Sequence, residues 1–154
     1  MKNLIFLVSI LFIGGCMETN DKNLKEKYTE EIKQTDLDFS ALSESEGVTK
    51  AFIKYSDEDV VMLRDKKFPI LGKKELKDYY NARPDDGSIL TWYPIKAEAA
   101  ESGEIGYSFG NWKYKTKDTT LFGNYVSVWR KNSNGEWKYI LDGGVTTPAP
   151  EEGK

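Results

Sequence analysis

The stretch Ile89–Val145 constrains the fold more than any other part of this chain, because it reads as four long strands in succession. Strands are expected at Ile89–Ala100, Glu104–Lys115, Leu121–Lys131 and Glu136–Val145, separated by turn residues at hairpin spacing. The strongest of these turn signals is Asn134-Gly135, a pair that accepts the positive φ of a tight hairpin. Pro94 marks the first of the four as an edge strand, since its nitrogen cannot donate to a ladder, and Gly110 is the expected site of a bulge. All four Trp fall in this stretch. Four antiparallel strands carrying that much aromatic mass form a curved sheet that needs a cover.

The preceding residues supply it. Leu24, Tyr28, Ile32, Thr35, Phe39 and Leu42 recur at spacings of three and four, which predicts a helix from Leu24 to Ser45, with Asp36 and Asp38 inside it. Gly47 breaks the run. Val48, Ala51, Phe52 and Tyr55 predict a second, short helix ending at Ser56-Asp57, and Val60–Asp65 a first strand. Pro69 and Gly72 mark a loop, and a third helix opens at Lys73 and stops before Pro84. The expectation is one α+β domain over residues 24–146, a curved antiparallel sheet covered by three N-terminal helices, with 147–154 a disordered tail.

Residues 1–15 read as a signal peptide. Lys2 precedes an apolar run from Leu4 to Ile13, too short to cross a bilayer, and small residues follow. The ending Ile13-Gly14-Gly15-Cys16 resembles the bacterial lipobox. That resemblance implies that Cys16 is lipidated and heads the mature chain, with residues 16–23 a flexible tether. The protein is then exported from the cytoplasm and held in the bacterial cell envelope through lipid on Cys16. The other reading is an ordinary secretory signal whose cleavage point adjoins a Cys. Because Cys16 is the only cysteine, that reading leaves a free exported thiol.

Counting excludes several chemistries. The chain has no histidine, so the commonest general base and neutral metal ligand are missing. A single cysteine rules out an internal disulfide, a Cys–His zinc site and a Cys–His dyad. The net charge of −3 argues against a nucleic-acid partner. Asp57-Glu58-Asp59 and Asp85-Asp86 lack the ligand spacing of a calcium loop. Nothing in the sequence calls for a cofactor or a metal.

The order helix, helix, strand, helix, four strands resembles the cone-shaped fold of the nuclear transport factor 2-like superfamily, also known as the ketosteroid-isomerase or cystatin-like fold. Ala51–Asp57 followed by an apolar strand, Pro69–Lys73 leading into a helix, and Trp92, Gly106-Tyr107, Gly110, Trp112 and Asn134–Lys138 in the sheet carry the likeness. It is nearest to the ketosteroid-isomerase-like domain of unknown function 4440. The resemblance implies a cavity between sheet and helices, and often a homodimer built across the sheet. It also implies a choice among isomerases, dehydratases, cyclases and binding modules, which fold alone does not make. The isomerase base position falls at Leu63, beside Arg64 and Asp65, and the tyrosine position near Phe39 or Ser40, so neither catalytic residue is matched. A small-molecule-binding domain is therefore expected. The alternatives are an enzyme of the isomerase or dehydratase type using Asp142 or Asp65 with help from a Tyr or from Arg64, and a dimerising scaffold.

Asp142 is the acid to watch, because a carboxylate in the apolar strand Tyr139–Gly144 needs a partner. Arg64 can meet it if the first and last strands lie close. Otherwise Asp142 is a strand-end residue bonding backbone amides. Tyr125, Ser127 and Trp129 share one strand face by alternation and suit a pocket wall, and Tyr55 and Trp92 complete the candidate set. Plain core packing is the competing account of each aromatic.

Overall fold

The computed structural model describes residues 15–83 and 86–150. The Leu4–Ile13 run, Asp85 and the end of the tail lie outside the described residues. Helix α1 spans Gly15–Glu46 and buries Ile32, Asp36, Phe39, Ser40 and Ser43, a stripe at helical spacing. It begins nine residues before the expected Leu24, so the 16–23 stretch continues the helix instead of forming a tether. Met17, Glu18 and Lys22 are good helix formers, and no Gly or Pro interrupts the run after Gly15. Gly47, at φ 90°, ends α1 and turns the chain into α2, Val48–Tyr55. Helix α3 spans Gly72–Asn81 and buries Leu76 and Tyr80.

Strand β1 is Ser56–Met62, starting and ending earlier than the predicted Val60–Asp65. Its polar start is a poor strand former, but pairing with the last strand overrides propensity, and Asp57 is held by Arg130 at 2.7 Å. A two-residue strand β2, Ile70–Leu71, pairs with β1 where a loop was expected, and Pro69 just before it cannot extend the ladder. Strands β3 (Ile89–Ala99), β4 (Ile105–Lys115), β5 (Thr120–Lys131) and β6 (Trp137–Thr147) fall within a residue or two of prediction. The sheet order is β2-β1-β6-β5-β4-β3.

Two expectations about the sheet are corrected. The sheet is not wholly antiparallel, because β1 adds to the free edge of β6 in parallel. The bulge sits on β3, between Pro94 and Lys96, and not at Gly110, which stays in register with Pro94 and Tyr125. Proline supplies no N–H at the irregular point. Gly110 instead permits close approach: a Cβ there would stand 2.0 Å from the Tyr93 carbonyl and 2.8 Å from the Tyr125 ring.

The helices cover one face of the curved sheet, and Phe39 of α1 sits at the centre of what they enclose. Its ring lies 4.6 Å from Trp92, 4.8 Å from Phe52 and 5.5 Å from Tyr139. Burying each such side chain contributes roughly 1.5–3 kcal/mol, and well-angled ring pairs about 0.5–1.5 kcal/mol more. No helix among the described residues is long and apolar enough to cross a membrane.

Candidate functional site

The three helices do not fill the sheet's inner face. At the end where β6 and β4 finish and β3 begins, a half-open cavity of about 1110 Å³ remains, bounded by α2 and α3 on one side and β3–β6 on the other. Its walls are apolar and aromatic, with Phe52, Leu90, Trp92, Trp112 and Tyr125 prominent. Four of its polar side chains, Arg64, Tyr80, Ser127 and Asp142, converge on one place, while Glu46, Asp65, Arg83 and Asp86 also line it. Concave apolar spaces with a few converging polar groups are where small molecules bind.

That polar place is built by the β1–β6 pairing. Met62 lies opposite Asp142, and the Leu63 amide donates to the Asp142 carbonyl at 2.8 Å, which puts Arg64 beside the Asp142 carboxylate. Arg64 Nη1 stands 3.5 Å from Asp142 Oδ1, and the Ser127 hydroxyl donates to Oδ2 at 2.7 Å. Asp142 therefore meets side chains, not the backbone amides of a strand end. Arg64 Nη2 donates to the Tyr80 hydroxyl at 2.8 Å. Burial pushes the Asp142 carboxyl above its ordinary pKa, against the pull of Arg64 and Ser127. Burial also raises the Tyr80 phenol despite Arg64, so it stays a neutral donor. For Arg64 burial works against the charge, but Tyr80 and Asp142 more than offset it and the guanidinium stays protonated.

The structure gathers Arg64, Trp92, Tyr125, Ser127 and Asp142 around this one cavity. It places the remaining candidates elsewhere. Trp129 is fully buried against Phe39 and Tyr139 and donates to the Ser108 hydroxyl at 2.9 Å, which makes it core. The Tyr55 ring lies tilted against Phe39 at 4.9 Å, and Tyr55 borders a separate groove of about 420 Å³ beside Trp137. Asp65 reaches only the rim, with its side chain 86% exposed. Leu63, at the isomerase base position, packs against Gly143, and Ser40 accepts the Trp92 amide at 2.8 Å.

Two important residues escaped the sequence reading as site candidates. Asp36 is fully buried in α1 and accepts from Trp92 Nε1 at 2.7 Å and the Tyr125 hydroxyl at 2.6 Å. Burial pushes its carboxyl up, against donation from Tyr125, Ser108 and Trp92. Its oxygens are thus satisfied, and it ties α1 to β3 and β5 behind the cavity wall. Its place four after Ile32 and three before Phe39 was the available signal. Tyr80 was announced the same way, four residues after Leu76 on the buried face of α3. Among the described residues no group of His, Cys, Asp and Glu could hold a metal ion.

No protein-family model and no curated protein matches the sequence. Solved structures do match in shape. A ketosteroid isomerase-like protein from Erwinia carotovora atroseptica superposes with a TM-score of 0.66 at 14% identity, over 80% of this chain and 98% of its own. A putative ketosteroid isomerase from Parabacteroides distasonis gives 0.63 at 21% identity, over 78% of this chain and 91% of its own. An NTF2-like protein with a cystatin-like fold from Novosphingobium aromaticivorans gives 0.67 at 12% identity, over 90% and 94%. At such identities the likeness defines the fold: an α+β cone with helices on a curved sheet. The chain has the NTF2-like, cystatin-like fold that its element order resembled.

Proposed function

We propose that this domain binds a small organic molecule in the cone cavity, while held to a membrane through lipid on Cys16. The cavity itself carries the first half of the reading: about 1110 Å³ of aromatic-walled space closing on Arg64, Asp142, Ser127 and Tyr80. A charged cluster kept half-dry serves no packing purpose that apolar residues would not serve as well. The apolar run before Gly14-Gly15-Cys16 supports the second half, since two or more acyl chains on one Cys hold a protein stably at a bilayer. Placement within the domain of unknown function 4440 group remains part of this proposal.

Native mass spectrometry of protein purified from its own host tests the binding reading. A retained small-molecule mass is the expected result, and its loss in Arg64→Gln would tie it to the cavity. Cys16→Ser should move the protein into the soluble fraction, and continued membrane retention would sink the anchor.

An enzymatic reading has one observation in its favour: a buried acid of raised pKa, Asp142, facing a cavity, as a general acid requires. A dimer also has one. Tyr93, Ile95, Phe109 and Val126 leave an exposed apolar patch on the outer sheet face. We propose a homodimer through that face, which leaves the cavity side free.

A further inference from the structure

The cavity floor holds more hydrogen-bond donors than the protein uses. A guanidinium offers five N–H groups and no acceptor. Arg64 Nη1 donates to the Leu63 carbonyl at 3.0 Å and faces Asp142 Oδ1 at 3.5 Å, and Nη2 donates to Tyr80. The Nε–H and the second Nη2–H have no partner among the described residues. Tyr80 spends its oxygen on Arg64, so its own proton is free to be donated. Asp142 Oδ1, at that long contact, is a loosely held acceptor in this cluster. A guest that fits must bring acceptor atoms to Arg64 and Tyr80 and an apolar body to the walls. The planar fork of an arginine beside a phenol matches the two oxygens of a carboxylate.

We propose that the cavity takes an apolar monocarboxylic acid, its carboxylate accepting from Arg64 and Tyr80 and its body lying along Phe52, Trp92 and Trp112. This rests on the ligand-binding reading above and names the ligand class for it. Charge balance then shapes the binding. Asp142 is faced by Arg64 from the segment after β1, Tyr80 from α3, Tyr125 and Ser127 from β5, Tyr139 from its own strand and Asp36 from α1. Arg64 is the one cation of that set. A second carboxylate on the same cation is accommodated when Asp142 takes up a proton, so the acid enters as a net neutral species. Affinity falls as pH rises above the Asp142 pKa of the free protein, by about tenfold per pH unit.

Calorimetric titration of the full-length protein with decanoate and phenylpropanoate, each against its primary amide, tests this. The acids should bind at least about tenfold tighter than the amides near about pH 6, with the preference shrinking towards about pH 8. Asp142→Asn should abolish that pH dependence. Arg64→Gln should lose the preference. Since it strands a buried carboxylate, the double variant Arg64→Gln/Asp142→Asn, which leaves no charge there, repeats the test in a fold checked by its thermal melt. Amides binding as tightly as acids to the parent, or a preference that survives in the double variant, overturns the carboxylic-acid assignment while leaving a binding cavity. Binding of neither class, extended to long-chain fatty acids, overturns the small-molecule reading as well.

Discussion

Asp36 and Asp142 are both buried carboxylates, yet their surroundings give them different work. Asp36 accepts from Trp92 and Tyr125, with no cation in contact among the described residues, and holds a helix to a sheet. Removing it strands those donors in a dry interior, at about 1–3 kcal/mol per unsatisfied group. Asp36→Ala should therefore cost about 3 kcal/mol, read as a lower urea midpoint at unchanged m-value. Asp36→Asn keeps most of the bonds and should cost less. Its clearer signature is in pH. Burial holds the folded pKa of Asp36 above an unfolded value of about 3.9, so the folded state binds the proton more tightly. The stability from this group is fully present below about pH 4 and is lost as pH rises through the folded pKa. Relative to the parent, the melting temperature of Asp36→Asn should fall less between about pH 4 and about pH 7. Parallel slopes would mean that Asp36 titrates as an ordinary surface acid does.

At the scale of elements, legibility followed the range of the interaction. The hairpins β3–β4, β4–β5 and β5–β6 are local, so turn residues and alternation located them within a residue or two. The β1–β6 pair joins Met62 to Asp142 across most of the domain, and no local pattern announces a parallel partner. Hence the sequence alone sets β1 too late in the chain, and it offers the Arg64–Asp142 contact only as a condition. The same limit explains Tyr55 and Trp129. Alternation gives a residue its face, but whether that face meets cavity or core depends on how far the helices reach along the sheet. Gly110 shows a third case: its role is set by the Tyr93 carbonyl and the Tyr125 ring pressing from β3 and β5. Gly110→Ala must push that backbone apart, and should cost about 1–3 kcal/mol in chemical denaturation. A variant as stable as the parent would show that β3 yields freely at its bulge.

For the whole molecule, the two faces of one sheet divide the proposed functions. Along β5, Tyr125 and Ser127 point to the cavity side and Val126 between them points out. On β4 Phe109 lies outward, opposite Val126, and Gly110 inward. The outer patch continues through Ile95, 57% exposed, and Tyr93, 56% exposed, whose hydroxyl accepts from Asn111 at 3.1 Å. A stable dimer buries about 800 Å² per partner, and the long strands β3–β5 that carry this patch can supply such an area. The parent protein should therefore sediment at twice the chain mass at micromolar concentration. Phe109→Lys with Val126→Lys places charges opposite their own copies and should give a monomer. Because neither side chain reaches the cavity, decanoate affinity should stay within about threefold of the parent, a difference below about 1 kcal/mol. A parent that sediments as a monomer sinks the dimer. A monomeric variant that also loses the ligand would show that the sheet transmits the change from one face to the other, so that assembly and binding are a single property of the fold.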